Sequence, residues 1–206
     1  RKARADRTPA QVEEDLRVSI ELASREALSK GLTTVTDAGS PALTVTVMKK
    51  VVDDRRLPIR VWMMLREPPE QLETDMPRLR VVNYGDRRFT VRAVKRSIDG
   101  ALGSRGAWML APYADMPSTS GLNTDTPGDV RETAALAARY DYQVAVHAIG
   151  DRANREVLNI YEETFTRLKK DGRAMRWRIE HAQHIDAADI PRFGRLGVIA
   201  SMQGIH

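Results

Sequence analysis

The sequence predicts a parallel α/β protein in which helices and strands alternate six times. Residues 59–65 (IRVWMML) are almost all apolar, as in a strand covered on both faces of a parallel sheet. Residues 144–153 (VAVHAIGDRA) combine a short buried strand, a histidine at its carboxyl end, a glycine turn and a helix start. Such alternation is typical of α/β folds. Six strands fit either an open doubly wound sheet or most of a (β/α)8 barrel.

Composition limits the classes of protein that the chain can belong to. Its 206 residues suffice for one domain with a sizeable core, and 42% hydrophobic with 30% charged residues is ordinary for a soluble globular protein. The absence of cysteine excludes disulfides, cysteine zinc sites and thiol nucleophiles. No apolar run approaches the roughly 18 residues of a membrane span. The chain starts at Arg1, so we expect the native start to lie upstream. No signal peptide is visible, and we expect the protein to be cytoplasmic.

The net charge is +5, but the distribution of the basic residues predicts no nucleic-acid partner. The basic residues are spread over the chain and the densest groups are only pairs, such as Arg55-Arg56 and Arg87-Arg88. No aromatic interleaving or nucleic-acid motif accompanies them, so a solvated surface explains the charge better than a nucleic-acid surface does.

Capping signals predict where the helices begin. Thr8 can cap a helix with Pro9 in its first turn and Gln11 completing a capping box, and Thr126 begins another that runs to about residue 140. The first helix presents an apolar face made of Val12, Leu16, Ile20, Ala23 and Ala27. Further helices are predicted at 40–51, at 70–82 with an interruption at Pro77, at 151–172 with Asp151 as cap, and at 186–195 with Ile190 and Phe193 inward.

Strands are predicted between these helices. Their ranges are 32–36, 59–65, 90–98, 143–146, 176–180 and 198–202. Asp37 follows the first strand, where a turn residue is the simplest interpretation. Residues 99–128 form a long loop rich in Gly, Pro, Ser and Thr, and a loop of that length within a compact domain indicates function. We therefore predict one domain over residues 1–206 with an active-site loop at 99–128.

Three residues that could take part in metal binding lie near the carboxyl ends of consecutive strands: Lys95, His147 and His181. Active sites of parallel α/β folds lie at those strand ends, and neighbouring strands are about 4.8 Å apart, so the three side chains can converge. Neutral imidazoles suit zinc and other divalent first-row metals. A single histidine after an apolar strand is usually a core residue, and an isolated lysine is usually a surface residue. The equivalent positions on successive strands favour a metal site instead.

Four long stretches resemble the amidohydrolase superfamily: VKRSIDGALGSRGAWML, VAVHAIGDRANREVL, RIEHAQHID and GLTTVTDAG, with SMQ and IH near the end. More narrowly they resemble amidohydrolase family 3, which includes N-substituted formamide deformylases. The resemblance covers nearly the whole chain. It implies a metal-dependent hydrolase on a (β/α)8 barrel whose usual ligands are an HxH pair on strand one, a lysine on strand four, histidines on strands five and six, and an aspartate on strand eight.

By this resemblance Lys95, His147 and His181 are the metal ligands, with zinc as the expected metal. A lysine ammonium has no lone pair, so Lys95 would ligate only when deprotonated or carbamylated, and carbamylation is frequent in the superfamily. Asp99 and Gly100 are expected to line the entrance, and Asp151 to orient substrate if it is not simply a helix cap. His206 matches a substrate contact, although Gly204 stands where the family tends to carry proline.

The departures from the family pattern predict an incomplete barrel. The chain contains no HxH pair, since its only histidines are His147, His181, His184 and His206, and no aspartate follows the last of them. The six strands then correspond to strands two to seven of eight. The general-base aspartate is expected outside the chain, and the three ligands make up the protein half of one metal site.

Two functions remain open at this point. The first is a metal-dependent hydrolase of C–N bonds in small-molecule amides, such as N-substituted formamides, in which a metal-activated hydroxide attacks the carbonyl and this chain alone is weakly active or inactive. The second is a non-catalytic truncated α/β module that folds or functions through self-association, because missing strands leave exposed strand edges. A truncated gene model or a proteolysed product of the full enzyme would have the same sequence.

Overall fold

The computed structural model describes residues 7–205, which form two compact units. The first contains the chain up to Glu67 together with Pro77–Arg92, and the second contains Pro68–Met76 and the chain from Ala93 onward. Each unit is a parallel α/β arrangement, which confirms the predicted fold class. Within the part of the chain that the structure describes, no helix is both long and apolar enough to span a membrane.

The first unit carries a parallel strand pair beside an antiparallel ribbon. Its elements are α1 (Pro9–Ser29), β1 (Thr34–Ser40), α2 (Ala42–Asp53), β2 (Arg60–Leu65), β3 (Val81–Asn83), the one-turn α4 (Tyr84–Arg87) and the start of β4 (Phe89–Ser97). β1 pairs with β2 in parallel, and β3 pairs with β4 in antiparallel orientation. Side chains of α2 and β2, including Val45, Val47 and Met63, are fully buried and make up its core.

The second unit holds the remaining parallel strands in the order β4, β5, β6, β7. Its elements are β5 (Gln143–Ala148), β6 (Arg178–His181), β7 (Ile199–Ser201), α5 (Pro127–Arg139), α6 (Asp151–Arg167), α7 (Gly172–Met175) and α8 (Ile190–Leu196). Helix α3 (Pro69–Leu79), with Pro77 inside it, begins in this unit and ends in the first. Trp177 lies in the core, where its ring packs at 4.9 Å from Tyr161 and its indole N–H donates to the Tyr142 carbonyl at 3.0 Å.

Local signals predicted both capped helix starts. Thr8 and Thr126 each accept a hydrogen bond from a backbone N–H three residues on, and the side chains of Gln11 and Asp129 return the contact. Both capping boxes satisfy amide groups that a helix start would otherwise leave unpaired.

Several predicted details of the strands and helices were wrong. β1 extends to Ser40, so Asp37 lies inside a strand with an irregular register rather than in a turn. The short antiparallel β3 was not predicted, because three residues are too few for a periodic pattern. Ala23 is exposed, and Ser24 is buried between the predicted core positions Ile20 and Ala27; its hydroxyl donates to the Ile20 carbonyl at 2.7 Å.

The last two predicted helices also differ in detail from the structure. Gly150, not Asp151, occupies the N-cap of α6, and Asp151 is the first helical residue. Ile190 is 57% exposed, whereas Phe193 is buried as predicted. The predicted helix 186–195 is shorter, Ile190–Leu196, so the phase inferred from its apolar residues was not that of the real helix.

Candidate active site

The candidate site lies in the second unit, at the carboxyl ends of β4, β5 and β6. Ser97 of β4 pairs with His147 of β5, which in turn pairs with Glu180 of β6. Side chains at paired positions of parallel strands lie on the same face, and so do side chains two residues apart on one strand. Lys95 and His147 therefore share one face of this sheet.

The imidazole rings of His147 and His181 are in contact. Their centroids are 4.5 Å apart and their planes meet at 73°, an edge-to-face arrangement. Nδ1 of His181 lies 2.8 Å from Oε1 of Gln203, a residue that follows β7. Sequence reasoning did not assign a role to Gln203, although it belongs to the SMQ motif that carried part of the resemblance.

The contact between the two rings depends on an unusual backbone conformation. Simple strand alternation places Glu180, not His181, on the face of His147, because Glu180 is its register partner. His181 adopts a φ of +75° and Ala182 a φ of +44°, both in the left-handed region. Histidine is among the non-glycine residues enriched in this region. The extended geometry ends at His181, and this lets its ring turn toward His147.

Lys95 is buried on the sheet face that also carries His147. The residue is 6% exposed, and its Nζ donates to the Arg96 carbonyl at 2.6 Å and to the Ser97 hydroxyl at 3.3 Å. The ammonium is thus bonded to oxygens of its own strand. A protonated amine offers no lone pair, so metal ligation by Lys95 requires loss of a proton or carbamylation.

Asp99 is a buried carboxylate that connects the long loop to the turn after β5, beside His147. Its carboxylate accepts backbone N–H groups of Trp108 at 3.0 Å, Ile149 at 3.0 Å and Gly150 at 2.8 Å. One of its oxygens also lies 3.5 Å from Nε2 of His147, and the Asp99 side chain has no exposed surface. Burial raises the pKa of Asp99 above its ordinary value, although the hydrogen bonds from Gly150, Trp108 and Ile149 act in the opposite direction.

The long loop between β4 and α5 is held against the start of α6. The Trp108 carbonyl accepts the N–H of Ala153 at 3.1 Å, and the Asp151 carboxylate accepts the N–H of Leu110 at 2.8 Å. The Arg152 guanidinium lies 4.5 Å from the centre of the Trp108 ring, a cation–π distance. These contacts place Asp151 beside the loop, in addition to its position in the first helical turn, where a negative charge is favourable.

The other predicted site residues have the following places. Gly100 donates its N–H to the Gly106 carbonyl at 3.0 Å, and a Cβ at Gly100 would lie 3.3 Å from the backbone of Gly106. The absence of a side chain at Gly100 therefore lets the two backbone segments of the loop lie close together. His206 lies outside the described residues. None of the roles predicted for these residues is tested by the structure, and they stay predictions.

The donor groups present fit part of a metal centre. Two imidazoles in contact at neighbouring strand ends, with a lysine on the third strand, are the donors that the sequence predicted. Among residues 7–205, however, no three His, Asp or Glu side chains come together as a metal-binding group. A metal held here would therefore take two imidazoles, and Lys95 as a carbamate would be the third ligand from this chain.

A family model described as the amidohydrolase family matches residues 1–206. The protein LONG AFTER FAR-RED 3 of Arabidopsis thaliana is 33% identical over 202 residues, which is 89% of this chain and 33% of that protein. The chain therefore spans about a third of the length of this relative.

Two solved structures are also similar. An uncharacterized metal-dependent hydrolase from Pyrococcus horikoshii OT3 matches with a TM-score of 0.75 and 27% identity, over 93% of this chain and 37% of that one. Another from Pyrococcus furiosus matches with a TM-score of 0.70 and 29% identity, over 88% of this chain and 36% of that one. With the parallel strand order, these matches confirm the predicted fold class, an incomplete TIM-type (β/α)8 barrel.

Proposed function

Because the chain belongs to the amidohydrolase family, we propose that it forms part of a metal-dependent hydrolase that cleaves C–N bonds in small-molecule amides, N-substituted formamides being the expected class. The observation that carries the proposal is the contact between the His147 and His181 rings at the ends of two neighbouring parallel strands. The uncharacterized metal-dependent hydrolases with similar folds support the metal-dependent hydrolase part of the proposal.

The ring contacts assign a role to each nitrogen in the proposed site. Nε2 of His147 faces the Asp99 carboxylate and Nδ1 of His181 faces the Gln203 amide, so Nδ1 of His147 and Nε2 of His181 are the proposed ligand atoms. Histidine ligands of metals regularly direct their second nitrogen at a carboxylate or an amide oxygen. Lys95 as a carbamate would add an anionic oxygen ligand from β4.

A divalent metal, with zinc as the expected ion, would supply Lewis acidity and lower the pKa of a coordinated water when bound. The residues of this chain hold the parts of the site in position and orient the side chains within it. The backbone contacts of Asp99 keep the β5 end and the long loop together. Gly100, Asp151 and His206 are retained from the sequence as proposed substrate-side residues, whereas Asp99, expected there too, has a side chain without exposed surface. Because the chain contains no HxH pair, we propose that it binds at most one metal ion and turns over weakly by itself.

Zinc titration of the metal-free chain tests the metal centre. We expect one zinc ion per chain, with affinity reduced at least ~10-fold in His147→Ala and in His181→Ala, because each variant removes a ligand. His184→Ala is the matched control, since this histidine lies just beyond β6. Its contacts with the site elements are made by its backbone, whose N–H donates to the Ile149 carbonyl and whose carbonyl accepts from the Asn154 amide, so they remain in the variant. Wild-type zinc affinity in both ligand variants would refute the proposed centre. Hydrolysis of N-benzylformamide by the zinc-loaded chain then tests the substrate class.

A second proposal is the non-catalytic, self-associating module. Exposed apolar side chains at β7 favour it: Ile199 is 37% exposed and Met202, just beyond the strand, is 62% exposed. Such an edge can pair with a second copy of the chain. Light scattering tests this proposal, because a monodisperse monomer at high concentration would contradict it. A cytoplasmic location remains a prediction.

A further inference from the structure

The position of the Asp99 carboxylate is determined by the backbone around it. Three backbone N–H groups, from Trp108, Ile149 and Gly150, donate to its two oxygens at 2.8–3.3 Å. These donors come from the long loop and from the turn that follows β5. Rotation of the carboxylate would break several of these bonds at once, and its side chain is fully buried. The negative charge is therefore held in one place.

The His147 ring lies against this fixed charge. Its Nε2 is 3.5 Å from Oδ1 of Asp99, which is too long for an ordinary hydrogen bond but close enough for an electrostatic interaction with the buried carboxylate. If Nε2 carried a lone pair, it would face a carboxylate oxygen and repel it. If Nε2 carries the proton, the positive end of the N–H dipole lies near the negative charge, which is favourable. The arrangement favours the neutral tautomer with the proton on Nε2.

We propose that Asp99 is a positioning residue that holds His147 in the Nε2–H tautomer, so that Nδ1 is presented to a metal. The proposal deepens the proposed function and rests on it for the ligand role of His147. It also gives Asp99 a different role from the substrate contact expected from the sequence. A side chain without exposed surface, already engaged by three backbone donors, offers a substrate no oxygen to contact.

Asp125 is a matched control for Asp99. Its carboxylate accepts the N–H of Ser97 at 2.8 Å, so it also ties the long loop to the end of β4. It makes no contact with His147 among the interactions that the structure describes. Asp99→Asn and Asp125→Asn both remove one charge that anchors the same loop, but only Asp99→Asn removes the charge facing the imidazole.

The first measurement is made on the metal-free wild-type chain. The ¹⁵N chemical shifts of the two imidazole nitrogens, recorded by long-range ¹H–¹⁵N correlation at a pH where the ring is neutral, identify the tautomer. We expect the proton on Nε2 of His147. A proton on Nδ1 overturns the proposal without any variant, so the result does not depend on whether Asp99→Asn folds.

The second measurement compares the two variants. We expect Asp99→Asn to lose the tautomer preference of His147 and to bind zinc about 10–100-fold more weakly, with Asp125→Asn unchanged in both respects. Equal losses of zinc affinity in the two variants, with the tautomer unaltered, would show a merely structural role and overturn the proposal. If the wild type binds no zinc but shows an Asp99-dependent Nε2–H tautomer, the positioning role is supported and the proposed metal centre fails.

Discussion

Gly150→Ala is expected to destabilise the protein through a steric clash at the start of α6. The backbone of Gly150 has φ −72° and ψ 153°, which alanine adopts without strain. An added Cβ would nevertheless lie 2.0 Å from the Trp108 carbonyl oxygen and 2.5 Å from its carbon. These are backbone atoms, which cannot rotate away as a flexible side chain would. The Trp108 backbone would have to retreat by roughly 1.5 Å to restore an ordinary van der Waals distance.

The expected cost follows from the hydrogen bonds that this displacement breaks. Trp108 donates to the Asp99 carboxylate at 3.0 Å and accepts from the N–H of Ala153 at 3.1 Å. A hydrogen bond to a charged group contributes about 1.5–3 kcal/mol and a neutral one about 0.5–1.5 kcal/mol. We therefore expect the free energy of unfolding to fall by about 2–4 kcal/mol, measured by urea denaturation with circular dichroism.

Gly103→Ala is the control for this prediction. Gly103 lies in the same loop, its φ is outside the left-handed region, and an added Cβ would meet no atom within 4 Å. Its effect on the free energy of unfolding should stay within about 0.5 kcal/mol. If the two alanine variants unfold at the same urea concentration, the steric reasoning is refuted.

Two further predictions concern stability. Burial alone would raise the pKa of Asp189, but hydrogen bonds from Arg192 and Arg155 outweigh it and hold the pKa below the ordinary value of 3.8. Asp189→Asn should therefore destabilise the chain at pH 7 by about 2 kcal/mol in urea denaturation. A lowered native pKa gives stability that is complete above the unfolded value, so the difference between wild type and variant should shrink as the pH falls below about 4 and vanish below the native pKa; a difference that does not change with pH would contradict this. Thr126→Ala removes the hydroxyl that caps α5 and should lower the free energy of unfolding by about 1 kcal/mol in urea denaturation. Thr126→Ser keeps the hydroxyl, so its free energy of unfolding should stay near that of the wild type.

Local chemistry explains why much of the fold could be predicted. Thr8 and Thr126 each begin a helix through contacts between near neighbours. Each threonine is followed by a proline and, three residues on, by a side chain that returns the hydrogen bond, and this short pattern specifies a helix start. The almost all-apolar run 59–65 became β2 (Arg60–Leu65), because such a composition suits a strand that is largely buried in a parallel sheet. These signals need no knowledge of distant residues.

The sequence order predicted which strand ends carry the candidate residues, but it did not predict the geometry of the site. The positions of Lys95, His147 and His181 near consecutive strand ends could be inferred from the order of elements. The contacts of Asp99 could not be inferred, because its partners at Trp108, Ile149 and Gly150 are 9 to 51 residues away along the chain. The inward placement of Ile190 failed for a related reason, since the true start of α8 decides which face of a short helix is buried.

The sequence by itself determined the parallel α/β class, the two capped helix starts and the residue types at the strand ends, because each follows from local capping, hydrophobic pattern or order along the chain. Only the tertiary structure decided that the His147 and His181 rings meet and that Asp99 is buried beside them. Strand alternation predicts the opposite face for His181, and its left-handed backbone overrides that pattern. Such a conformation is stabilised by the surrounding packing rather than by the residue's own preference.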